Sequence, residues 1–98
     1  MWMLESRDTA SPRATFRIFA GSIKTIGRSP GAEFIIEDAL VSRVHCRLTA
    51  TVDALEVKDL DSTNGTFVNG ERVQTVELHD GDTLTVGRVD LLVSRKTN

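Results

Sequence analysis

Very little in this sequence is available for covalent or metal-based stabilisation. One cysteine, Cys46, excludes an internal disulfide. With the lone neighbouring His45 it also falls short of any zinc ligand set, so neither a metal nor another cofactor is expected. Charge of one sign is missing too: 12 basic against 14 acidic side chains leave a formal net charge of -2. No overall basic field exists to draw in nucleic acid or anionic lipid, and any anion site must be local. There is no tyrosine, and the aromatics are one tryptophan and four phenylalanines. That is poor material for a base-stacking surface. No apolar run approaches membrane-spanning length, so direct membrane insertion is not expected, and Met1 to Glu5 lack the basic start and apolar stretch of a secretion signal. The simplest setting for such a chain is cytosolic.

What is present is strand patterning. At 98 residues the chain suits one domain, 1–98, large enough to bury a modest core. Apolar residues recur at spacing two in short stretches: Phe16 and Ile18, Val44 with Cys46 and Leu48, Leu55 and Val57, Leu84 and Val86, Leu91 and Val93. No window carries a sustained apolar stripe at helical spacing. Turn-forming groups punctuate the pattern, at Ser29–Pro30–Gly31, at Asn69–Gly70, which suits a tight hairpin, and at Asp80–Gly81–Asp82. A short first strand is expected near Trp2 to Leu4 and a second at Thr15 to Phe19, with the polar stretch Ser6 to Arg13 as a loop between them. The expected fold is an all-β sandwich or barrel.

Three loop features carry candidate chemistry: Gly27 with Arg28, the run Ser42 to His45, and the run Asp61 to Gly65. An arginine fork takes phosphate through two parallel N–H bonds, while a serine hydroxyl and an asparagine amide add shorter orienting contacts. Each feature alone reads as an ordinary turn with a solvated side chain. Gly87 with Arg88 repeats the first pair and shows how little it means in isolation.

Order and spacing make the set specific. Gly27 and Arg28 at a strand end, Ser42 and His45 opening a later strand, and Asn64 and Gly65 in a further loop resemble the signature of the forkhead-associated (FHA) domain family, whose members bind phosphothreonine. Phe34 to Asp38, then Val57, Asp59 and Leu60, and Thr66 to Gly70 fit as well, so the resemblance runs from about Thr15 to Ser94. It implies a sandwich of two antiparallel sheets with about eleven short strands and a site in the loops at one end. It further implies that Arg28 binds the phosphate, Ser42 donates its hydroxyl, Arg43 lies alongside, and Thr63 and Asn64 complete the site, with Asn64 holding the ligand backbone. Gly27 and Gly65 permit the loop turns, and His45 braces the loops. The implied partner of this monomer is a threonine-phosphorylated protein or peptide in Ser/Thr kinase signalling. Arg88 belongs to the last hairpin and reads as a solvated strand-end charge. Leu40 and Val41 stand just before Ser42, where some members carry a basic side chain that selects among ligands.

Two readings of other classes compete. A hydrolase using Ser42, His45 and Asp59 needs serine and histidine to meet, but residues three apart on a strand point to opposite faces, and no nucleophile-elbow glycines flank the serine. A nucleic-acid-binding β-barrel needs the basic, aromatic surface that the composition withholds. Thr9, in the polar stretch, is set aside as a phosphorylated self-ligand because it lies between two expected strands rather than on a long tail.

Overall fold

The computed structural model describes residues 1–7 and 13–96, so Thr9 lies outside the described residues. Among those described there are eleven strands and no helix, hence none long and apolar enough to cross a membrane. The alternation read from the sequence is what builds the layers. In β6 (Leu55–Asp59) Leu55, Val57 and Asp59 point inward and Glu56 and Lys58 outward. In β11 (Val89–Arg95) Val89, Leu91 and Val93 point inward. One-face burial of this kind commits each strand to a sheet with a single apolar side, and two such sheets bury one another.

The first sheet contains β1 (Trp2–Ser6), β2 (Thr15–Ile18), β7 (Thr66–Val68), β8 (Glu71–Val73), β10 (Thr83–Val86) and β11, in the order β2-β1-β11-β10-β7-β8. The second contains β3 (Ile23–Gly27), β4 (Phe34–Ile35), β5 (Cys46–Ala50), β6 and β9 (Thr75–Leu78), in the order β4-β3-β5-β6-β9. All pairings are antiparallel except β3 with β4, which runs parallel through Ile26↔Phe34. Where the outer strands β2 and β4 meet, Phe16 stacks on Phe34 with ring centroids 4.5 Å apart and closes that side of the sandwich. Leu4, Ile18, Ile26, Leu48, Leu55, Val57, Leu84 and Leu91 fill the interior.

Turn chemistry behaves as the sequence requires. Asn69 and Gly70, both at positive φ (51° and 85°), make the two-residue link between β7 and β8, and Gly87 (φ 57°) opens the equally tight link from Val86 to Val89. One expectation fails. Val44 does not continue the inward row of Cys46 and Leu48: β5 starts at Cys46, and Val44 is exposed. The chain ahead of β5 is held instead by the loop bonds described below, which override the alternation. Cys46 is fully buried opposite Asp59, and burial pushes its thiol up to about 12.

Candidate functional site

Three connections meet at one end of the sandwich: residues 28–33 after β3, residues 36–45 before β5, and residues 60–65 after β6. Two of them, the second and the third, are joined from beneath by His45, which is wholly buried. The Ser42 N–H donates to His45 Nδ1 at 3.1 Å, and His45 Nε2 lies 2.8 Å from the Gly65 carbonyl. A backbone amide can only donate and a carbonyl can only accept, so the ring is the tautomer with its hydrogen on Nε2. The His45 main chain extends the link, its N–H donating to Ile26 and its carbonyl accepting from Leu60. The side chain thus ties the serine loop to the asparagine loop, while the main chain of the same residue joins both to the end of β3 and to Leu60.

Close approach explains the glycines. At Gly27 a Cβ would stand 2.1 Å from the Arg43 carbonyl oxygen, so no side chain fits while the serine loop lies against β3. Gly65 has φ +92°, where other residues are strained, and the Arg72 guanidinium lies across the place a Cβ would take.

The loop after β6 is fixed by a buried polar network that the sequence reading did not single out. Asp59 accepts hydrogen bonds from the hydroxyls of Ser62 and Thr66 and from the Ser62 N–H, and the Ser62 hydroxyl in turn accepts from the Gly65 N–H at 3.0 Å. Burial works against ionisation of Asp59, yet these donors outweigh it and hold the carboxyl below its usual range. The available signal was a serine three residues beyond a strand-end aspartate, a common local side chain to backbone motif. Asp61, at φ 55°, supplies the sharp turn between them.

On this frame Arg28, Ser42, Thr63 and Asn64 line a single cleft of about 120 Å³, together with Ala39, Leu40 and Val41. Arg28 donates from Nε to the Val41 carbonyl at 3.0 Å, and Asn64 donates from Nδ2 to the Leu40 carbonyl at 2.9 Å. Ser42 Oγ accepts from the Thr63 N–H at 3.0 Å, which leaves its own hydrogen to donate. The terminal N–H groups of Arg28 have no protein acceptor among the described residues, so the fork is held at its base and open at its tip. Arg43 is exposed and does not line the cleft; its carbonyl accepts from the Ser29 N–H and hydroxyl.

Ser42 and His45 do not form a nucleophile and base. The imidazole meets the serine's main chain, and neither ring nitrogen is left for the hydroxyl. A larger cleft of about 320 Å³ lies elsewhere, between β8 and β9, but Glu71, Glu77 and Asp82 around it give it the wrong sign for an anion. Arg88 is exposed, as expected of a strand-end charge, but it is not free: its Nε sits 3.3 and 3.4 Å from the two carboxylate oxygens of Asp38.

Comparison with known proteins gives the chain's relatives. A family model described as the FHA domain matches residues 24–87. The chain is 41% identical over 85 residues to the ABC transporter ATP-binding/permease protein Rv1747 of Mycobacterium tuberculosis, a match that covers 87% of the chain and 10% of that protein. It is 34% identical to the glycogen accumulation regulator GarA of the same organism, over 72% of the chain and 44% of that protein. The chain therefore spans less than half the length of these relatives. Among solved structures, the FhaA FHA domain complexed with the intracellular domain of Rv3910 superposes with a TM-score of 0.85 at 33% identity, covering 95% of this chain and 99% of that one. A structure described as an analysis of phosphothreonine-dependent FHA domain interactions superposes at 0.88 with 32% identity, covering 99% of this chain and 98% of that one.

Proposed function

The chain belongs to the FHA domain family, and from that premise we propose that the cleft between its three loops is a phosphothreonine site whose phosphate is taken by Arg28 and Ser42. The observation that carries this reading is the convergence of Arg28, Ser42, Thr63 and Asn64, from three separate loops, on one small cleft with the arginine fork open at its tip. A phosphorylated threonine brings nearly two negative charges and three acceptor oxygens, enough to engage the terminal N–H groups of Arg28 and the Ser42 hydroxyl together. Unmodified threonine offers none of this, so binding switches on with phosphorylation. Asn64, anchored at Leu40, presents its remaining amide atoms to the ligand backbone, Thr63 flanks it, and Arg43 adds long-range attraction.

The cleft is far smaller than the pockets of about 300 to 1,000 Å³ that enclose whole small molecules. It suits a headgroup on an extended peptide that otherwise lies across the loops. With both nitrogens of His45 committed to the main chain, the site binds and does not catalyse. A ligand made by a Ser/Thr kinase fits a cytoplasmic setting, and we infer a monomeric recognition unit covering residues 1–98.

The test is a titration with a phosphothreonine peptide library, with unphosphorylated and phosphoserine versions as controls. Binding is expected for the phosphothreonine peptides and not for unphosphorylated ones. Arg28→Ala should lose on the order of 1.5 to 3 kcal/mol of binding or more with its melting temperature nearly unchanged. Unaltered affinity in Arg28→Ala would refute the assignment.

A further inference from the structure

Residues 38–41 supply the carbonyls that orient the two principal side chains of the cleft, Val41 to Arg28 and Leu40 to Asn64. This short stretch is therefore part of the site's geometry even where it touches no ligand. It is wound into a turn by Asp38, whose carboxylate accepts the Leu40 N–H at 2.8 Å and whose carbonyl accepts the Val41 N–H at 2.9 Å. The Asp38 side chain is only 3% exposed, so its charge is largely removed from water and needs a partner. That partner comes from the β10–β11 hairpin, where Arg88 Nε faces both carboxylate oxygens.

The same hairpin also presses on the turn directly. A Cβ on Gly87 would lie 2.8 Å from Val41 Cγ2 and 3.2 Å from both the Leu40 carbonyl carbon and the Val41 nitrogen. Residues 38–41 are thus gripped from two sides. Arg28 and Asn64 hold their carbonyls at the cleft, and Gly87 and Arg88 hold them from behind.

We infer that Arg88 is a positioning residue for ligand binding: through its ion pair with Asp38 it fixes the 38–41 turn, and through that turn the aim of Arg28 and Asn64. The inference rests on the phosphothreonine reading of the cleft. Arg88 itself need not touch the ligand, and the second Gly-Arg pair of the sequence becomes the buttress of the site that the first pair opens.

The experiment measures affinity for one phosphothreonine peptide and the melting temperature in Arg88→Ala, Arg88→Lys, Asp38→Asn and the Asp38→Asn/Arg88→Ala double variant, with Arg28→Ala as reference. Arg88→Ala and Asp38→Asn should each weaken binding by roughly fivefold to tenfold, and the double variant should be no worse than either, the signature of two residues acting as one unit. Arg88→Lys should recover most of the loss, and the Asn64 side-chain amide signals in NMR should shift in Arg88→Ala and return in Arg88→Lys. Two results overturn the inference: wild-type affinity in Arg88→Ala, or full affinity in Asp38→Asn alongside a loss in Arg88→Ala, which would mean that Arg88 meets the ligand directly. If Asp38→Asn does not fold, Arg88→Ala against Arg88→Lys, with the NMR signals, decides. A null effect of Arg28→Ala in the same series would instead strike the phosphothreonine reading beneath.

Discussion

His45 shows how one residue sets both the stability and the readiness of the site. Its ring is buried between a donor on Ser42 and an acceptor on Gly65, and no aliphatic side chain replaces either bond. Removing it leaves a half-buried N–H and a buried carbonyl unpartnered and opens a cavity. His45→Ala should therefore cost roughly 2 to 4 kcal/mol of stability in denaturant unfolding. It should also weaken phosphopeptide binding, because Ser42 loses the bond that fixes its backbone. A His45→Ala variant with wild-type stability would contradict the bracing role. The neighbouring serine and histidine were suggestive of catalysis as residue types. Only their geometry assigns the histidine to the main chain.

At the level of elements, the glycines of two turns make a matched contrast. Gly70, in the hairpin far from the cleft, sits at φ +85° with nothing within 4 Å of a Cβ. Gly70→Ala should cost only about 1 to 2 kcal/mol, from backbone strain alone, and leave ligand affinity unchanged. Gly27 has no unusual φ, but a Cβ there would collide with the Arg43 carbonyl. Gly27→Ala must push the serine loop off β3, so it should both destabilise the domain and abolish measurable binding. Thermal melts and peptide titrations on the two variants separate the cases. The element that the alternation misjudged, the start of β5 at Cys46 rather than Val44, belongs to the same account. There the chain follows the bonds from Arg28, Ser29 and His45 to the serine loop and to β3 instead of the sheet's in-out pleat.

Across the whole molecule, pH separates what the ligand titrates from what the fold titrates. Asp38, Asp59 and Asp82 are all held below their ordinary value of 3.8. For Asp38 the chief cause is the Leu40 N–H, with Arg88 adding to it against burial. For Asp59 and Asp82 burial is outweighed by several hydrogen bonds. A carboxylate whose folded pKa is depressed contributes stability above its unfolded pKa and loses it as pH falls through the folded one. The stability that these carboxylates contribute should therefore hold from neutral pH down to about 4 and then be lost. Cys46 works in the opposite sense at the alkaline end: its thiol is raised from 9.0 to about 12, so the stability it contributes is present below 9 and lost as pH rises toward 12. Peptide affinity should decline earlier on the acid side, below about pH 6, where the phosphate takes up a proton. Melts and titrations run over one pH series should show affinity falling while the fold is still intact. By itself the sequence determined the strand character, the tight turns and the set Gly27, Arg28, Ser42, His45, Asn64 and Gly65, because alternation and turn chemistry are local and the motif's order is written along the chain. Tertiary structure alone decided that Arg28, Ser42, Thr63 and Asn64 share a cleft while Arg43 stands outside it, that Asp59 and Ser62 anchor the loop after β6, and that Arg88 reaches back across fifty positions to Asp38. Those contacts depend on where two sheets place the ends of non-adjacent strands, and no local pattern encodes that distance.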